Sequence, residues 1–124
     1  MVEKVCLDSD VLIAMLRKDK IAKALVQSFD ADYCTTSVNV FELWHGRKKG
    51  EVINELLSSL KTLNLDSAAS RKAGDILRVL QAEGNILDLK DLFIGAICIA
   101  QGAKLMTFNK KHFQKLGKFG LEII

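Results

Sequence analysis

The chain reads as an α/β protein built on a central, mainly parallel sheet. Three observations predict this. Val5-Cys6-Leu7 and Leu105-Met106 are short apolar runs of strand length without alternation, the pattern of strands covered on both faces. Stretches with helical spacing fall between such runs. Leu92 to Ala100 is apolar nearly all round, which marks a helix enclosed by its neighbours. Strands alternating with helices form parallel sheets flanked by helices.

Taken in order, residues 4–8 are the expected first strand and residues 10–17 a short helix. Asp19 caps a second helix, in which Ile21, Ala24, Leu25 and Phe29 recur at helical spacing. Tyr33 to Thr36 is β-branched and aromatic enough for a second strand. Ser37 or Asn39 caps a helix through Val40, Phe41, Leu43 and Trp44, ending near Gly46. Residues 51–61 form another helix and residues 63–65 a short strand. Asp66 or Ser67 opens a long helix that Gly84 closes. Residues 89–101 are helical up to Gly102. Residues 104–108 are a strand, residues 110–116 a turn or short helix, and residues 121–124 a final strand.

A length of 124 residues predicts one domain, 1–124, with one core. Apolar residues make up 49%, enough for packing and too many for wholesale disorder. No apolar run approaches the roughly 20 residues that cross a bilayer, and no secretory signal stands out. A cytoplasmic location without a membrane partner is therefore expected. Cys6, Cys34 and Cys98 are odd in number and widely spaced in apolar runs, which predicts reduced, buried thiols and no metal motif. The net charge of +3 permits nucleic-acid binding without requiring it. Arg17-Lys18-Asp19-Lys20, Arg47-Lys48-Lys49 and Lys110-Lys111 are either solvated loops or phosphate contacts.

The acids carry the chemistry. In a parallel sheet, the strand ends that lead into crossover helices share one edge, where ligands bind. Asp8 closes the first strand there, and Glu42 lies early in the helix leaving the second. The helix of Asp88 and Asp91 must run back to feed strand 104–108, so its N-terminus lies at the same edge, as does Asn109. Topology thus gathers Asp8, Asp10, Glu42, Asp88, Asp91 and Asn109. Like charges so placed repel unless a cation or a proton neutralises them. Oxygen ligands without thiol or imidazole suit Mg²⁺ or Mn²⁺, and such a site beside basic loops suits phosphodiester hydrolysis. Each acid also has a structural reading. Asp10 could cap the first helix, and Glu42 stands at the capping-box position from Asn39. Asp88 could be an N-cap, with Asp91 favouring the helix dipole. His45 and His112 read as surface or packing residues, and Trp44 as core.

Four motifs, in order and spanning nearly the whole chain, resemble those of PIN-domain ribonucleases. They are Leu7-Asp8-Ser9-Asp10-Val11-Leu12-Ile13, Ser37-Val38-Asn39-Val40-Phe41-Glu42-Leu43, Asp91-Leu92-Phe93-Ile94-Gly95-Ala96 and Thr107-Phe108-Asn109-Lys110-Lys111-His112-Phe113. The compact size is similar to that of the VapC toxins of prokaryotic toxin–antitoxin pairs. The resemblance implies a three-layer α/β/α fold and Mg²⁺- or Mn²⁺-dependent cleavage of RNA to 5′-phosphate and 3′-hydroxyl ends. By position, Asp8, Glu42 and Asp91 would form the catalytic metal site. Asn109 would take the fourth place, Ser9 and Thr107 would be hydroxyl partners, and Asp10 or Asp88 could lend charge. Lys18, Arg47, Lys48, Lys49, Lys110 and Lys111 would contact RNA phosphates. An antitoxin partner is implied, with Phe41, Trp44 and the helices around residues 10–29 and 51–60 as its contacts, and dimerisation is common in the family. Two departures stand out. Many relatives carry an acid where Asn109 stands, or just before the phenylalanine, where this chain has His112.

Two other readings compete. Asp8-Ser9-Asp10-Val11 also fits the nucleophile motif of haloacid dehalogenase-like phosphatases, with Asp8 as nucleophile and Asp10 as acid/base. That reading leaves Glu42 without a role, and the chain is short for that fold. A PIN-like fold with a degenerate site at Asn109, used only for binding, is the non-enzymatic alternative.

Overall fold

A computed structural model describes residues 2–124. Four parallel strands stand in the order β3-β2-β1-β4. β1 is Glu3–Leu7, β2 Ala31–Thr36, β3 Lys61–Leu63 and β4 Lys104–Met106. The helices are α1 Ser9–Leu16, α2 Lys20–Gln27, α3 Ser37–His45, α4 Gly50–Ser58, α5 Ser67–Ala82, α6 Leu89–Gln101 and α7 Lys110–Phe113. A 3₁₀ stretch, Gln114–Phe119, continues from α7. The expected mainly parallel sheet is parallel throughout.

Strand pleating divides the core in two, because successive side chains point to opposite faces. Val5 and Leu7 pack with Val11, Leu12, Leu43 and Ile53, from α1, α3 and α4. Cys6, between them, packs on the other face with Ile76, Ile94, Ile97 and Leu116. β4 repeats the division, with Leu105 on one side and Met106 on the other. This is the expected three-layer arrangement. Each fully buried aliphatic side chain contributes about 1.5–3 kcal/mol. All three cysteines are buried and free.

Several boundaries differ from the sequence expectation. The third strand is Lys61–Leu63, in register with Cys34 to Thr36, where residues 63–65 were expected. The chain turns away after Leu63, and the Leu65 N–H instead meets Ser37 Oγ at 3.1 Å. β4 ends at Met106 because Thr107 and Phe108 are diverted to Asp8 and Asp10. The expected last strand reduces to one bridge, Leu105 to Ile123, reached after Gly120 turns the chain at φ +107°. Thr36 caps α3, accepting the Asn39 N–H at 3.1 Å, so neither Ser37 nor Asn39 is the cap. Asp19, Asp66 and Asp88 cap their helices, and Gly102 closes α6 in the left-handed conformation at φ +65°. Trp44, expected in the core, is 38% exposed. Asn39 and Leu43 take the inward face of α3, which leaves Trp44 at the rim beneath the Arg47 guanidinium, 4.2 Å from the ring centroid.

Gly95 lies where α6 meets the 3₁₀ stretch, and a Cβ there would overlap Leu116 Cδ1. Leu116 is itself fully buried, so overpacking should outweigh the gain in helix propensity. Gly95→Ala should cost about 1 kcal/mol net, lowering Tm by roughly 3–6 °C in a thermal melt.

Candidate active site

Three strand ends build the site. Asp8 follows β1 as the N-cap of α1, and its Oδ1 accepts the Ser9 N–H at 2.9 Å. Asn39, fully buried on the first turn of α3, donates from Nδ2 to Asp8 Oδ1 and to Ser9 Oγ, both at 2.9 Å. Its Oδ1 accepts the Thr36 hydroxyl at 2.7 Å. Thr107, just past β4, donates to Asp8 Oδ2 at 2.7 Å. Ser9 Oγ donates to Glu42 Oε1 at 2.9 Å. Asp8 is thereby fixed through both oxygens and is only 7% exposed.

These residues open onto a cleft of about 410 Å³ lined by Asp8, Asp10, Glu42, Asp88, Asp91 and Asn109. The gathering expected from topology is present. Lys90 and His112 line the cleft too. Lys90 Nζ stands 3.8 Å from Glu42 Oε2, and His112 Nδ1 stands 3.7 Å from Asp91 Oδ2. Burial pushes the Asp91 carboxyl up to about 6, helped by the charges of Asp88, Asp8 and Glu42 and opposed by His112. Burial, then the charge of Asp8, also raises Asp10 above the usual carboxylate range, while the N–H groups of Phe108 and Val11 pull it back.

The donors are of the kind that hard divalent cations take, namely carboxylate oxygens without thiols. The acids face one another across an open cleft. Among the described residues, no three His, Cys, Asp or Glu side chains already stand at metal-cage spacing. The fit to a cation is therefore one of donor chemistry and unbalanced negative charge, not of a closed cage.

Residues 5–118 match the PIN domain. The chain belongs to the PIN domain family. It is 39% identical over 92 residues to Ribonuclease VapC3 of Methanocaldococcus jannaschii, covering 73% of this chain and 94% of the relative. Ribonuclease VapC1 of the same organism is 28% identical over 120 residues, covering 97% and 86%. Among solved structures, VapBC2 from Rickettsia felis, bound to a promoter DNA fragment, matches with a TM-score of 0.83 at 18% identity over 98% of this chain and 97% of that one. DNA-bound VapBC from Salmonella typhimurium gives 0.80 at 22% identity, covering 100% and 98%. At these identities the structural likeness establishes the fold.

Within this PIN domain the expected positions part company. Asp10, the residue on which a phosphatase reading depends, is a tether. Its Oδ1 accepts the Val11 N–H at 2.7 Å, and its Oδ2 accepts the Phe108 N–H at 3.0 Å. Those bonds tie the Asp10 carboxylate to the backbone on both sides of it. Asp88 is both cap and cleft wall, accepting from Lys90 N at 2.8 Å. Lys18 lines a separate cleft with Met15, Lys20 and Lys23, away from the acids. Arg47, Lys48 and Lys49 rim another cleft that reaches Glu42, and Lys111 borders Asp88, Asp91 and His112. His45 packs on Phe41, with ring centroids 5.8 Å apart. His112, read from the sequence as a surface or packing residue, is at the surface, and it also faces Asp91. Asn39 and Lys90 had no site role in the sequence reading. Asn39 stands three residues before Glu42, one turn up the same helix face, and that spacing was its signal.

Two outcomes follow from this geometry. Asn39→Ala would strip a buried donor from Asp8 and Ser9 and an acceptor from Thr36. It should lower unfolding free energy by about 1–3 kcal/mol in a urea titration. Asp91 titrates near 6 in the fold, against about 3.9 in an unfolded chain. Between those values the folded state holds more protons, so stability falls as pH rises from about 4 to about 6. Metal-free Asp91→Asn should melt above the parent protein at pH 7, and that gap should close as pH falls toward 4.

Proposed function

We propose that this PIN domain is a divalent-metal-dependent endoribonuclease and the toxin of a type II toxin–antitoxin pair. The observation that carries the reading is the meeting of Asp8, Glu42 and Asp91, from three separate segments, in one cleft. The names of its relatives in Methanocaldococcus jannaschii and Mycobacterium tuberculosis, each called a VapC ribonuclease, support the same activity. VapBC complexes among its structural neighbours support a partner antitoxin.

In this reading Asp8, Glu42 and Asp91 hold Mg²⁺ or Mn²⁺, and Asn109 supplies a neutral oxygen beside them. An ion held there would supply acidification of a bound water and charge stabilisation for the phosphate oxygens. Asn39 and Thr107 lock the Asp8 carboxylate, and Ser9 orients Glu42. Asp10 keeps Thr107 and Phe108 seated next to Asp8. Lys110, Lys111 and the Arg47-Lys48-Lys49 run draw the RNA in through phosphate contacts, which carry affinity without base reading.

The antitoxin surface we assign is the cleft of about 590 Å³ between α1, α3 and α4. Ile13, Leu16, Leu43 and Val52 give it an apolar floor, and the Arg47-Lys48-Lys49 rim suits an acidic amphipathic segment. A segment seated there would cover the RNA contacts and reach Glu42. We read the chain as one cytoplasmic domain that dimerises. Among the described residues, no helix is long and apolar enough to cross a membrane.

Purified protein with Mn²⁺ or Mg²⁺ should cleave RNA, and EDTA should stop it. Asp8→Asn should keep the fold by circular dichroism and lose cleavage by about 100-fold or more, on the scale of the several kcal/mol that a metal supplies. Parent-level cleavage by Asp8→Asn would overturn the assignment.

A further inference from the structure

His112 is the imidazole of the acidic cleft. It sits on α7 immediately before Phe113, which is almost fully buried and anchors that turn. Its Nδ1 lies 3.7 Å from Asp91 Oδ2. That separation is too long for a hydrogen bond. Neighbouring donors of an octahedral cation stand about 3.0 Å apart for bonds of about 2.1 Å, so a shift of roughly 0.7 Å by this exposed imidazole brings both atoms onto one ion. The imidazole also shares the cleft with Asp8, Glu42 and Asn109. At the position just before the phenylalanine, the chain thus offers nitrogen beside carboxylate oxygens.

Resting on the metal-dependent nuclease reading, we propose that His112 is a metal ligand, donating Nδ1 to the ion that Asp91 holds. This sets the metal preference. Mg²⁺ favours an all-oxygen octahedral shell and gives up its water reluctantly; Mn²⁺ also takes carboxylate oxygens but, as a transition metal, accepts an imidazole nitrogen more readily than Mg²⁺ does. The site therefore prefers Mn²⁺ to Mg²⁺, and His112 is the residue that makes it do so.

The chain contains two histidines, His45 and His112, so a nitrogen signal is assignable. Pulsed EPR of Mn²⁺ bound to the intact protein should show coupling to a directly bound imidazole nitrogen. The coupling should change from the ¹⁴N to the ¹⁵N pattern when histidine alone is labelled. It should survive in His45→Ala and vanish in His112→Ala. His112 has a 61% exposed side chain, so its replacement should leave the fold intact, checked by circular dichroism. Titration should show Mn²⁺ affinity falling about tenfold in His112→Ala, the lower end of what losing a well-placed group costs a metal site, with Mg²⁺ affinity within about twofold. His112→Asp should narrow the preference for Mn²⁺ over Mg²⁺. Bound Mn²⁺ without imidazole coupling, or coupling that persists in His112→Ala, overturns the proposal. If Mn²⁺-supported RNA cleavage continues in that case, the nuclease reading stands. Failure of the parent protein to bind either ion overturns both.

Discussion

The carboxylate of Asp8 is the point through which the site is tied together. It ends the strand that lies between β2 and β4, and both neighbours reach it. Asn39, one turn past β2, holds Oδ1 and Thr107, one residue past β4, holds Oδ2. Hydrogen bonds to a charged acceptor contribute about 1.5–3 kcal/mol each, more than neutral ones. Asp8 therefore registers three strand ends against one another as well as presenting charge to the cleft. The parallel ladder makes this feasible, because all of these ends emerge on the same edge.

The same edge concentrates unfavourable charge. Asp91 sits half-buried near three other acids, with Lys90 placed against Glu42 as a counter-charge and the His112 imidazole beside Asp91. Such a cluster opposes folding locally, and the two core faces carry that cost. Their apolar packing is continuous, and among the described residues no buried side-chain polar atom lacks a partner. Local rules are broken where chemistry is needed and kept elsewhere, the usual distribution in a functional fold.

Asp8 and Asp10 began as equals in the sequence, two carboxylates one residue apart. The structure separates them. Asp8 caps α1, faces the cleft and organises its neighbours, while Asp10 turns its oxygens to backbone N–H groups at both ends of the α1–β4 junction. Its residual role is to hold Phe108 and Thr107, which explains why an acid at this position is compatible with an intact site. Asn109 lines the cleft as expected but donates its backbone N–H to Thr107 Oγ1, reinforcing the residue that grips Asp8.

Much of the fold was legible in the residues alone. Apolar runs without alternation pointed to β1 and β4, β-branched and aromatic residues to β2, helical spacing to the helices, and five acids near helix or strand ends to one edge. These are local properties, carried by neighbours a few positions apart. What remained depended on distances between distant segments. Trp44 went to the rim because Asn39 and Leu43 claimed the inward face of α3, and the last strand shrank to a bridge because the chain meets β4 only briefly. Asn39 looked like a cap and became the buried link between Asp8 and Glu42. His112 is the surface residue it looked like, but its position against Asp91 was not legible. No periodicity encodes such meetings, since they arise only when packing of the whole chain sets the angle and separation of α3, α6 and α7 around the end of β1.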